Sequence, residues 1–192
     1  MNSLCVFLAI GFLIFGISVA QQPLVQDECP ESCSATNVRM SNDKLAGIWY
    51  LHASIPRFFE EEMKCTFINV TELEEDHLYF VKHEFNNNTN EPRETFGAIE
   101  YTKDGATNIY YTDLFLPFAY NTIALSDDYW ILITCNECGF YSLDGSGSYA
   151  YAFTRLQYPP YETNSEITDI LKDCGISKKY LVGQDQNRCT FC

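Results

Sequence analysis

The side chains best able to do chemistry are the cysteines. The 192-residue chain has nine, Cys5, Cys29, Cys33, Cys65, Cys135, Cys138, Cys174, Cys189 and Cys192. A thiolate can attack a carbonyl, ligate a metal or exchange with a disulfide. Cys135-x-x-Cys138 has the spacing of a redox pair or of half a zinc site; the second half would have to come from Cys29-x3-Cys33. Proton-transfer candidates are His52, His77 and His83. None stands in a Ser/His/Asp or metal-ligand pattern, and there is no Gly-rich phosphate loop. These residues predict neither an enzyme nor a metal site, and they turn attention to what else so many cysteines do.

Compartment answers that. Leu4 to Val19 is apolar or small throughout, and Ser18-Val19-Ala20 offers small residues at a cleavage position. Residues 1–20 therefore read as a secretory signal, shorter in its apolar part than the roughly 20 residues of a membrane span. The expected product, residues 21–192, is one secreted, extracellular domain with no integral membrane segment. Cys5 leaves with the signal, and the remaining even set implies a disulfide framework. Asn69-Val70-Thr71 and Asn87-Asn88-Thr89 are glycosylation sequons that place Asn69 and Asn87 at the surface. The formal net charge of −14 argues against nucleic acid or an anionic membrane as partner.

The elements that must carry these residues read as strands. Eight segments rich in Tyr, Phe, Ile, Val and Thr follow one another: 47–55, 65–73, 77–85, 94–102, 106–113, 120–125, 129–134 and 148–154. Turn-forming clusters separate them, and no helical pattern intervenes, so a sandwich or an up-and-down barrel is expected. One amphipathic helix comes afterwards, over about 164–174. Thr163-x-x-Glu166 has capping-box spacing, Ile167, Ile170, Leu171 and Cys174 share a face, and Gly175 supplies the stop. Residues 175–192 form a tail with a short strand at 179–182. Eight strands and then a helix favour an all-β, eight-stranded antiparallel barrel over about 45–155, with the helix outside it.

At this point the chain resembles the lipocalins, most of all the apolipoprotein D and bilin-binding subgroup. The resemblance rests on Gly47-x-Trp49-Tyr50, Ile55-Pro56, Phe59-Glu60 and Cys65, on Glu28-Cys29-Pro30, on Asn69, on the strand 129–135 ending in a cysteine, on Ala152-Phe153-Thr154-Arg155, and on Asp185-Gln186-x-x-Cys189. The family's Thr-Asp-Tyr motif has no clean counterpart in Ala124-Leu125-Ser126-Asp127-Asp128-Tyr129. The resemblance implies that Arg155 crosses Trp49 at the closed end beside Gly47. It pairs Cys29 with Cys135 and Cys65 with Cys189. For the cysteines left over, Cys33–Cys138 and Cys174–Cys192 are the expected bridges.

Side-chain alternation then selects wall residues. Trp49 pointing inward takes Leu51 and Ala53 with it. An outward Asn69 leaves Thr66 and Ile68 inside. On the third strand Lys82 and Glu84 suit solvent, which favours Tyr79, Val81, His83 and Phe85 as inward, but that face would expose Leu78 and Phe80, so the assignment stays open. Phe58 and Phe59 would border the mouth. With 13 Tyr and 14 Phe, such a cavity suits a small hydrophobic ligand: a bilin, retinoid, sterol, carotenoid or fatty acid. No cofactor is required, although a bilin, retinoid or lipid could be carried. A protein-binding or inhibitory lipocalin acting through its mouth loops is the alternative, with a protein partner or a homodimer left open. A thiol-dependent lipid isomerase is the third reading, opposed by the expected bridging of Cys65.

Overall fold

The computed structural model describes Cys33, residues 41–55, 63–74, 77–101, 106–112, 118–134, 149–187 and Cys189. One helical turn, α1 (Asn42–Leu45), leads into β1 (Gly47–Ile55). There follow β2 (Met63–Glu74), β3 (His77–Asn86), β4 (Pro92–Tyr101), β5 (Ala106–Tyr111), β6 (Phe118–Leu125), β7 (Tyr129–Thr134) and β8 (Tyr149–Thr154). Each strand pairs antiparallel with the next, and β1 pairs with both β8 and β2. The sheet thus closes into an eight-stranded up-and-down barrel, which leaves no long edge exposed to another chain.

Sequence alternation sorts the side chains into two apolar clusters. One fills the barrel and includes Trp49, Phe80, Trp130, Leu132, Tyr151 and Phe153. The other lies outside, under α2 (Tyr161–Asp173), and joins Ile131, Ile133, Ala150 and Ala152 to Ile167 and Leu171. β8 shows why both exist. Its Tyr-Ala-Tyr-Ala-Phe pattern sends large rings inward and leaves two methyl groups outside, so a helix can approach closely. β7 and β8 are consequently buried on both faces.

The helix departs from its expected start. It begins at Tyr161, directly after the extended Pro160, and Thr163 lies inside the first turn without capping it. Glu166 instead accepts a hydrogen bond from the Tyr129 hydroxyl at 2.8 Å, tying helix to barrel. Its end follows the pattern closely. Gly175 takes a φ of 77°, its N–H donates to the Lys172 carbonyl, and the Ile176 N–H donates to that of Leu171. These are the two bonds of a Schellman stop.

Two disulfides lie among the described residues. Cys65 is joined to Cys189. Cys33 is joined to Cys174, so the expected Cys33–Cys138 and Cys174–Cys192 pairs are corrected. The physical reason is proximity. Cys174 ends the buried face of α2, and Cys33 is wholly buried in the same cluster with 5.5 Å between the two Cα atoms. The expected Cys29–Cys135 bridge, and residues 1–20, lie outside the described residues.

The tail is part of the barrel wall. After a 3-10 turn at Lys178–Tyr180, the two-residue strand β9 (Val182–Gly183) pairs with Ala53 and Ser54 of β1. The expected strand at 179–182 is thus displaced towards the C-terminus. β1 pairs with β2 only over Gly47–Tyr50; beyond that the two strands part. Gln186 fills the gap. Its Nε2 donates to the carbonyls of Leu51 on β1 and Thr66 on β2, both at 2.9 Å. The Cys65 N–H donates to the Asp185 carbonyl at 2.8 Å, and the Cys65–Cys189 bridge fastens the strap.

Candidate ligand cavity

The closed end is built around Trp49. α1 ends just before Gly47, and the Trp49 indole N–H donates back to the Leu45 carbonyl at 2.8 Å. The Arg155 guanidinium lies 3.6 Å from the centre of the Trp49 ring. Its Nη1 donates to the Ile48 carbonyl at 3.1 Å and its Nη2 to the Lys44 carbonyl at 2.7 Å. Cation–π attraction of this kind contributes about 0.5–2 kcal/mol. Burial pulls the guanidinium below its ordinary pKa, and the charge of Asp127 opposes that shift. Gly47 has a φ of 104°, and a Cβ there would stand 3.1 Å from Arg155 Nη1. Glycine is required by the conformation and by the guanidinium together.

The departed motif also belongs to this end. Ser126 Oγ accepts from the N–H groups of Asp128 and Tyr129, each at 3.1 Å. The Asp128 carbonyl accepts from the Arg155 N–H at 2.9 Å. A serine-closed turn therefore joins β6 to β7 and holds the residue that seals the floor.

Above the floor is an enclosed, largely apolar hollow of about 40 Å³. Leu51, Thr66 and Ile68, from the expected set, line it. Tyr111, Tyr120, Trp130, Tyr151 and Phe153 supply rings that the sequence reading did not single out. Tyr120 and Tyr151 meet edge to face at 5.7 Å, and Phe80 meets Tyr111 likewise at 5.4 Å. Trp130 Nε1 donates to Thr122 Oγ1 at 3.2 Å, so its polar atom is satisfied inside the wall.

Two expectations about facing are corrected. A register shift between Leu51 and Ala53 takes Ala53 out of the wall and brings Ser54 in. A bulge inserts one residue and reverses the alternation beyond it. On β3 the face is opposite to the favoured one. Phe80, Lys82 and Glu84 line the hollow, while Tyr79, Val81, His83 and Phe85 share the outer face. His83 stacks on Phe67 at 4.5 Å and places Nδ1 3.1 Å from Glu94 Oε1. Leu78 and Phe80 are buried, and the two charges are admitted because they pair. Lys82 Nζ stands 2.8 Å from Glu84 Oε2, with Arg93 Nε 3.8 Å from Glu84 Oε1. Alternation could find this face; what it lacked was a reason to place ions inside. Phe58 and Phe59 lie outside the described residues.

Tyr79 and Val81 instead border a larger recess of about 440 Å³ on the outer surface, with Phe96 and Tyr110. Asn69 and Thr71 lie at the same recess, and Asn69 and Asn87 are both exposed. This recess is open to solvent, whereas the hollow is enclosed by strands, so the hollow is the better candidate for holding a guest. His52 faces neither, and burial lowers its pKa. Among the described residues no three His, Cys, Asp or Glu side chains gather as a metal site would need.

The fold as a whole has counterparts among solved structures. Lobster apocrustacyanin A1 superposes with a TM-score of 0.65 at 14% identity, over 84% of this chain and 92% of that one. Insecticyanin from the tobacco hornworm Manduca sexta gives 0.66 at 15%, over 84% and 87%. A siderocalin gives 0.57 at 13%, over 74% and 94%. This is the lipocalin fold. No protein-family model and no curated protein matches the sequence. The lipocalin likeness is thus carried by barrel geometry far more than by residue identity. It leaves the contents of the hollow to be argued from this chain's own side chains.

Proposed function

We propose that the chain is a secreted lipocalin that carries one small, slender hydrophobic molecule in its barrel. The observation that carries this reading is the enclosed hollow itself, apolar and ring-lined above a floor sealed by Trp49 and Arg155. Holding an apolar guest needs a dry cavity and no catalytic group. Cavities for drug-sized ligands run to roughly 300–1,000 Å³, so the hollow of about 40 Å³ must widen to admit a guest, and a single chain asks less widening than a broad ring system. A bilin or sterol would require the aromatic walls to turn aside. Among the described residues that line the hollow there is no histidine or cysteine, and Cys65 is held in a disulfide, which argues against a thiol isomerase. The siderocalin with this fold functions through dual ligand specificities; that a comparable barrel binds ligands supports the same use here. The disulfides and the signal-like residues 1–20 support secretion.

Tryptophan fluorescence tests the reading. The chain has two tryptophans, and Trp130 lines the hollow. Titrating the oxidised protein with a straight-chain lipid should change its emission saturably at one equivalent. A linear, non-saturating response would overturn the carrier.

A further inference from the structure

The hollow is not uniformly apolar, and its polar part has a position. β1 starts at the floor with Gly47, and β2 and β3 meet at that same end, because Val70 on β2 pairs with both Gly47 and Phe80. From Phe80 β3 runs away from the floor, so Lys82, whose partner Ile68 also pairs with Trp49, stands above Phe80, and Glu84 above that. Met63, which begins β2, and Gln184 of the tail line the same part of the wall, and Gln184 Nε2 donates to the Met63 carbonyl at 2.8 Å. A guest entering from the far end would set its apolar body against Trp130 and leave its other end beside Lys82 and Glu84.

Glu84 carries the chemistry. Its side chain is 3% exposed, and Lys82 is 11% exposed. The Lys82 ammonium is close to Oε2, yet this buried oxygen receives no aligned hydrogen bond. A carboxylate oxygen in low dielectric gains most from a directed donor. The neighbouring ammonium sits where it can also donate to an oxygen approaching Oε2. A group that donates to Glu84 and accepts from Lys82 fits both. A ligand carboxylate fits only Lys82, and it would bring a second negative charge against Glu84.

We propose that Lys82 and Glu84 form a headgroup site that selects a hydroxyl-bearing, single-chain amphiphile. This deepens the carrier reading and rests on it. The alcohol's O–H donates to Glu84 Oε2, its oxygen accepts from Lys82 Nζ, and its alkyl chain occupies the ring-lined part of the hollow. The ion pair then has a use in recognition, beyond the stability that a well-packed apolar pair would give equally well.

Three probes of equal carbon number separate the possibilities in calorimetric titrations of the full, oxidised protein at pH 7.4. These are 1-dodecanol, the methyl ether 1-methoxyundecane, and dodecanoate. The alcohol should bind about tenfold or more tightly than either, the value of one charge-assisted hydrogen bond. In Glu84→Gln, with the repelling carboxylate gone, the order should reverse and dodecanoate should bind tightest. In the double variant Lys82→Met with Glu84→Leu, which keeps the wall packed without leaving a lone charge, all three should bind alike. Should Glu84→Gln fail to fold, the double variant still tests the loss of selectivity. An ether equal to the alcohol, or a carboxylate equal to or tighter than the alcohol in the unaltered protein, overturns the headgroup site while leaving the carrier standing. If none of the three binds, the carrier reading itself falls.

Discussion

The two ends of the barrel solve the problem of polar atoms in opposite ways. At the floor, Arg155 serves structure: it faces a ring and two carbonyls, all supplied by residues 44–49. Higher on β3, Lys82 and Glu84 face the hollow and pair with each other, with Arg93 beside Glu84. At the floor both terminal nitrogens of Arg155 donate to backbone carbonyls. The far half keeps a carboxylate oxygen that is ion-paired to Lys82 without an aligned hydrogen bond among the described residues. A finished polar cluster stabilises a fold, whereas an unfinished one inside a cavity is a place for a ligand. The strand seam repeats the contrast. Near the floor β1 and β2 pair directly, and farther out they depend on Gln186 of the tail.

The largest effects should come from breaking each end. Trp49→Ala removes a wholly buried ring and the surface on which Arg155 rests. It should cost about 3–5 kcal/mol, read by urea denaturation. Lys82→Met leaves buried Glu84 with only the more distant Arg93 to balance it and should cost up to about 3–5 kcal/mol. Adding Glu84→Leu should recover most of that, and no second substitution should do the same for Trp49→Ala. That asymmetry sharpens the comparison, because only the far half is held by a pair that stability does not need.

Gln186→Ala comes next. It strands the buried carbonyls of Leu51 and Thr66 and should cost about 2–3 kcal/mol. Hydrogen exchange should quicken at the β1–β2 seam more than at Gly47–Tyr50. Gly47→Ala forces a φ that L-residues resist and crowds Arg155, for about 1–2 kcal/mol in thermal unfolding. The smallest effect is set by pH. Tyr129 is pushed up to about 12 by burial first and by its bond to Glu166 second, from an ordinary 10.0. Folding favours the neutral phenol, so its contribution is complete below pH 10 and is lost as pH rises towards 12. Denaturation curves of Tyr129→Phe should lack that alkaline loss. An unchanged slope in the variant would place the loss elsewhere.

Much of the floor could be read from residue order. Gly47-x-Trp49 and the late Arg155 stand far apart in the chain, and the family resemblance brings them to one end. The structure adds the reason, a positive φ and a guanidinium where a Cβ would be. The serine turn at 126–129 was opaque because its hydrogen bonds replace a motif with different side chains. β3 misled for a different reason. Its two faces are both amphipathic, and a rule that sends charges outward chose the wrong one. Ala53 was lost to a bulge, which no alternation predicts.

By itself, the sequence determined the strands, their order, the outer helix and its glycine stop. These follow from local periodicity and from which residues tolerate which backbone, properties that neighbours in the chain carry with them. Tertiary structure alone decided which face of β3 looks inward, that Cys33 meets Cys174, and that Gln186 closes the seam. Each of these depends on a partner more than a few residues away, or on a charge whose burial is tolerable only once another charge has been placed beside it.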